Sequence, residues 1–169
     1  ADMVIFGQCV LGPPGAGKTT YCTGMQQLLG ALKRPRTLIN LDPANDELPY
    51  DCDIDVRELV NVQDVMNELD LGPNGALLYA MEYIEVNLDW LITRIRQATS
   101  EFAVPYLFID CPGQVELYTH NEVMTKITQQ LVKALDVRLV AVHLIDSTLC
   151  VDAYRYLSAV FLSLSAMMQ

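Results

Sequence analysis

Gly12-Pro13-Pro14-Gly15-Ala16-Gly17-Lys18-Thr19 satisfies G-x-x-x-x-G-K-[ST] at every defined position, with an apolar run, Phe6 to Leu11, before it and a helical pattern, Thr19 to Leu32, after it. Strand, loop and helix in that order decide the fold. The glycines let the backbone wrap so that successive N–H groups converge on one anion, and a helix opening there adds its positive end. Gly12, Pro13, Pro14, Gly15, Ala16, Gly17, Lys18 and Thr19 therefore read as a phosphate cradle. Lys18 spans β- and γ-phosphate oxygens and the Thr19 hydroxyl reaches Mg2+. A Gly/Pro loop that merely carries a lysine is the bland alternative, and it explains neither the strand nor the helix.

Outward from the loop, further apolar runs lie at Thr37 to Leu41, Tyr106 to Ile109 and Leu139 to Ile145, near-continuous as in strands buried on both faces. Helical patterns alternate with them. Val62 to Leu69 follows Asn61 as a cap, Leu88, Leu91, Ile92 and Ile95 recur at helical spacing, and Val123, Ile127, Leu131 and Leu135 repeat every four residues. Asp55 with Glu58 has the spacing of a capping box. The fold class expected is α/β: a three-layer P-loop sandwich on a mainly parallel sheet, one domain over residues 1–169. Ala153 to Met168 is apolar nearly all round, and a helix of that kind needs cover, from the rest of a domain or from a partner chain.

Composition narrows the classes. Hydrophobic residues at 51% and charged residues at 19% exclude a disordered chain. A net charge of -10 opposes phosphate backbones, so direct nucleic-acid binding is not expected. Five cysteines with no C-x-x-C pair argue against a disulfide framework or zinc site. No run approaches the roughly 20 apolar residues of a membrane span, which leaves a cytosolic address with nuclear passage open to it.

A phosphate loop needs a second, metal-facing carboxylate at the end of a neighbouring strand. Asp110 supplies it: Asp110-Cys111-Pro112-Gly113 follows the run Tyr106 to Ile109 as D-x-x-G, so the carboxylate can hold Mg2+ through water while the Gly113 N–H approaches the γ-phosphate. Gln114 and Glu116 come next, an amide to orient a hydrolytic water and a carboxylate to accept its proton or fix the amide; their bland reading is a solvated helix start. Asp42, in Leu41-Asp42-Pro43-Ala44-Asn45, is a third acidic candidate near the metal, or else a turn-forming Asp-Pro.

Four stretches in order, G-P-P-G-A-G-K-T-T from Gly12, N-L-D-P-A-N at Asn40 to Asn45, G-P-N at Gly72 to Asn74 and D-C-P-G-Q-V-E-L at Asp110 to Leu117, together resemble the GPN-loop GTPases. The resemblance runs from about Phe6 to the final helix. It implies a dimerising GTPase with GTP and GDP as substrate and product, and it adds Thr20 to the nucleotide-binding set. It also implies a loop insertion around residues 71–76 in which Gly72, Pro73 and Asn74 reach the active site of a second subunit, in a homodimer or a heterodimer with another such GTPase. Without it, G-P-N reads as a surface turn. Gln114, Glu116, Asp42 and Asn74 become the catalytic set, and Thr19, Asp110 and Asp42 the metal-proximal one. RNA polymerase II subunits or assembly factors are the clients it suggests, with the protein cytoplasmic and shuttling to the nucleus.

The base-reading N/T/S-K-x-D of that family belongs after the Ala153 to Met168 helix and does not occur within these 169 residues. The guanine preference thus comes from the resemblance alone, and the expectation is of a domain lacking its C-terminal strand or strands and helices. Two other functions compete. A P-loop nucleotide kinase would need clustered arginines to clamp two phosphate groups, whereas Arg34, Arg36, Arg57, Arg94, Arg96, Arg138 and Arg155 are scattered. A nucleotide-gated scaffold would bind and scarcely turn over.

Overall fold

In the computed structural model, which describes residues 5–45, 47–102 and 105–167, strands and helices alternate around one parallel sheet. β1 (Ile5–Leu11) leads through the phosphate loop into α1 (Lys18–Ala31), then β2 (Thr37–Asn40) and a two-residue β3 (Ile54–Asp55). Helices α2 (Val62–Leu69), α3 (Pro73–Val86) and α4 (Leu88–Thr99) precede β4 (Tyr106–Asp110). A four-residue α5 (Glu116–Thr119), α6 (Val123–Leu135), β5 (Val137–His143) and α7 (Ala153–Met167) complete the order.

The sheet runs β3-β2-β4-β1-β5 with every pair parallel. Alternation along each strand sorts side chains onto two faces. Cys9, Leu11, Ile39, Leu107 and Ile109 join the core built with α3, α4 and α6, while Val10, Leu38 and Phe108 pack with Cys22 and Leu29 of α1 and with Tyr50. Each fully buried Leu, Ile or Phe contributes on the order of 1.5 to 3 kcal/mol through apolar burial. These contacts hold the strand ends, and therefore the site, in fixed register.

Four expectations change in the fold. The last strand begins at Val137 and ends at His143, where the run Leu139 to Ile145 was expected. Asp136 ends α6 in the left-handed region (φ 50), so β5 starts at once, and β1, its neighbour, turns away at Gly12. The Asp55–Glu58 box becomes a 3-10 turn, Val56–Glu58: the Asp55 carboxylate does cap, accepting from Arg57 N–H, but Glu58 turns outward to pair with Arg94 at 2.8 Å. The G-P-N tripeptide is a helix start where a surface turn was the plain reading: Gly72 caps α3 and Pro73 is its first residue, where a fixed φ and a missing N–H cost nothing. Finally, α7 is largely uncovered, with Tyr154 84% and Phe161 67% exposed; Met168 of the expected helix lies outside the described residues.

Candidate functional site

Parallel pairing puts the C-terminal ends of four strands side by side. Val10 is level with Asp110, Asp110 with Asn40, and Asn40 with Asp55. The chain leaves β1 one residue later to form the phosphate loop, so the loop opens directly beside Asp110, in the crevice where open α/β sheets bind ligands. Gly12 turns there with φ 146, and a Cβ at that position would lie 2.5 Å from the Leu144 carbonyl oxygen. Gly17 caps α1 in the left-handed region. Glycine is required at both.

Lys18 is the first residue of α1 and is 9% exposed, its ammonium donating to the Pro13 carbonyl at 3.4 Å across the mouth of the loop. Thr19 follows in the first turn, and Thr20, one residue on, is exposed. Gly113 closes the opposite side: a Cβ there would sit 2.8 Å from Lys18 Nζ and 3.1 Å from Pro14 N. Lys18, Thr19, Asp110 and Gly113 thus meet at one place.

Asp110 is 1% exposed. Its Oδ2 accepts from the Tyr50 hydroxyl at 2.9 Å, and its Oδ1 has no partner among the described residues. Leaving such an oxygen unsatisfied costs about 1 to 3 kcal/mol, so the site calls for a donor or a cation. Burial pushes the Asp110 carboxyl above the usual carboxylate range, aided by the Asp42 charge and opposed by Tyr50, Lys18 and the Thr19 hydroxyl. Burial first, then the Asp110 charge, pushes the Tyr50 hydroxyl up, which keeps it protonated and donating.

Asp42 does both things its sequence allows. Its Oδ1 accepts from Ala44 N–H at 3.0 Å, an Asx turn, yet the side chain is half-buried; burial raises its carboxyl, while the Ala44 N–H and the nearby Lys18 charge oppose that shift. Behind it, Asn40 bonds the Asp42 backbone on both sides and donates to Asp55 at 3.0 Å. Gln114 follows Gly113 and donates to Asn74 Oδ1 at 3.0 Å, so its amide and the G-P-N asparagine of the same chain touch. Glu116 is brought to neither: it opens α5 exposed, with no side-chain bond among the described residues.

Sequence reasoning missed Tyr50, Asn40 and the helix α3 that carries Asn74. Pro73 at a first helical position, with Ala76, Leu77, Ala80, Met81 and Ile84 recurring behind it, was the available signal for the helix. Tyr50 had none, because its partner is 60 residues away. An apolar cavity of about 600 Å³ opens elsewhere on the α1 side of the sheet, lined by Phe6, Met25, Leu29 and Val140, and no phosphate-loop residue lines it.

A parallel sheet with strand-loop-helix phosphate cradle and an adjoining strand-end aspartate defines a P-loop nucleoside-triphosphate-binding protein. A family profile described as "Conserved hypothetical ATP binding protein" matches residues 10–169. The chain is 52% identical over 163 residues to GPN-loop GTPase 2 of Danio rerio, covering 96% of this chain and 51% of that protein. It is 48% identical over 165 residues to GPN-loop GTPase QQT1 of Arabidopsis thaliana, covering 98% and 54%. A GTPase in apo form from Pyrococcus abyssi shares the fold, with TM-score 0.64 and 23% identity over 84% of this chain and 66% of that one. The chain belongs to the GPN-loop GTPase family, and it spans about half the length of the curated relatives it matches.

Proposed function

We propose that the protein is a Mg2+-dependent GTP-binding and GTP-hydrolysing switch. The observation that carries this is the meeting of Lys18, Thr19, Asp110 and Gly113, with the unsatisfied Asp110 Oδ1 among them. Backbone N–H groups of Gly15, Ala16, Gly17, Lys18 and Thr19 would hold the β-phosphate, the Lys18 ammonium the β- and γ-oxygens, and Gly113 N–H the γ-phosphate. Thr19 and Asp110, with Asp42 nearby, would hold Mg2+, whose chemistry is to neutralise charge developing on the phosphate oxygens. Gln114 would orient the attacking water, with Glu116, two residues on, accepting its proton or fixing the amide. The names of the relatives support guanine as the base.

Multiple-turnover phosphate release with Mg2+ tests this, GTP against ATP as competitors. Sustained release from GTP is expected. Tight GTP binding without release would establish the scaffold reading instead, and phosphate transfer to an added nucleoside monophosphate the kinase reading.

The switch would work as a homodimer or a heterodimer, with Asn74 of one subunit completing the site of the other. Cytoplasmic, nucleus-shuttling assembly of RNA polymerase II is the role the resemblance supports. A second reading, Asn74 acting within its own chain, is favoured by the Gln114–Asn74 hydrogen bond.

A further inference from the structure

We propose that Tyr50 is the positioning residue that aims the metal-facing carboxylate of Asp110. The inference rests on the reading of Asp110 given above. Tyr50 is 5% exposed, wedged among Val10, Cys22, Leu38 and Phe108 on the α1 side of the sheet, and its hydroxyl ends 2.9 Å from Asp110 Oδ2. A carboxylate with one oxygen tied to a fixed donor cannot rotate freely, and Oδ1 is left as the acceptor for the cation or its water. A phenol is also neutral. It orients the carboxylate without cancelling the charge the cation needs, in contrast to Asp55, whose two oxygens are occupied by the Arg57 guanidinium.

Tyr50 comes from the segment between β2 and β3 that also carries Asp42, so one hydroxyl ties that segment to the end of β4. The segment has other anchors: Gln26 Nε2 donates to the Asp51 carbonyl at 2.8 Å, and Leu38 N–H to Asp53 Oδ2 at 2.7 Å. Removing the hydroxyl therefore leaves the chain path in place and frees the carboxylate.

The test is calorimetric titration of GTP onto the full chain, in EDTA and across Mg2+ concentrations. Tyr50→Phe is expected to keep the EDTA affinity within about twofold and to raise the Mg2+ needed for half of its effect about tenfold, with weakened Mn2+ binding by electron paramagnetic resonance. In an Asp110→Asn background the same change should have no further effect. An unaltered Mg2+ requirement, or a Tyr50 effect that persists without the Asp110 charge, overturns the proposal. If Tyr50→Phe fails to fold, 3-fluorotyrosine at position 50 keeps the hydroxyl and reports by fluorine resonance. Its signal should move when Mg2+ joins the GTP complex, and an unmoved signal overturns the proposal equally. A wild-type chain that binds no GTP in either condition would remove the functional reading itself, a result distinct from a Tyr50 change with no metal effect.

Discussion

Lys18 is nearly buried, yet among the described residues its ammonium hydrogen-bonds only the Pro13 carbonyl, at 3.4 Å, a long bond for a charge that could be shared with phosphate. Lys18→Ala should lower triphosphate affinity ten- to a hundredfold, since charge-assisted contacts of this kind are worth roughly 1.5 to 3 kcal/mol. Titration calorimetry checks it, and unchanged affinity would remove the phosphate-loop assignment. Gly113→Ala acts on the same group from the other side. The Lys18 terminus can swing from the new methyl, but Pro14 N, 3.1 Å away, is backbone. Weaker GTP binding with little change in melting temperature is expected; a large melting loss at intact affinity would instead make Gly113 a folding residue.

β3 and the 3-10 turn after it depend on a compact charge network. Asp55 accepts from Asn40 and Arg57, and Arg57 also donates to the Asn45 carbonyl at 2.7 Å, tying the strand end to the Asp42 segment. Burial alone would raise the Asp55 carboxyl, but the Arg57 and Asn40 hydrogen bonds outweigh it and hold it below its ordinary value. A lowered folded value stabilises the protein above the unfolded pKa of about 3.9 and ceases to do so as pH falls through the folded one. Asp55→Asn should therefore cost about 1 to 3 kcal/mol near neutral pH. The gap between variant and wild type should close on acidification, read from thermal melts at several pH values. A gap independent of pH would mean that shape, not charge, matters there.

Asn74 has two possible sites of action, its own chain's phosphate loop and that of a second subunit. Its helix begins with Gly72 and Pro73 exposed, and Asn74 meets Gln114 of its own chain. If subunits exchange Asn74, mixing Asn74→Ala with Lys18→Ala should recover activity above both single variants, because the Lys18→Ala chain lends its asparagine to an intact phosphate loop. Wild-type turnover per chain should also rise with protein concentration. A mixture no better than its components would assign Asn74 to its own chain. The uncovered face of α7 and the exposed Val140 of β5, at 61%, show that the described residues leave apolar surface on both sides of the β1–β5 edge.

Local chemistry made the phosphate loop, the Asp110-x-x-Gly113 turn and the four longer strands legible in the sequence, because a run of glycines before Lys18 or an apolar strand before Asp110 carries its meaning within a few neighbouring residues. The sequence likewise determined that helices would cover both faces of a parallel sheet. Long-range contacts, invisible along the chain, set Tyr50 against Asp110, Asn40 between Asp42 and Asp55, and Gln114 against Asn74, while Glu116 stays exposed. The pairs Asn40–Asp55, Asn74–Gln114 and Tyr50–Asp110 are 15, 40 and 60 residues apart in the chain, and what joins them is the strand order that sets their segments side by side. β3 stayed hidden for a related reason: two residues, Ile54 and Asp55, are too few to show a period, and they form a strand only because β2 already lies beside them.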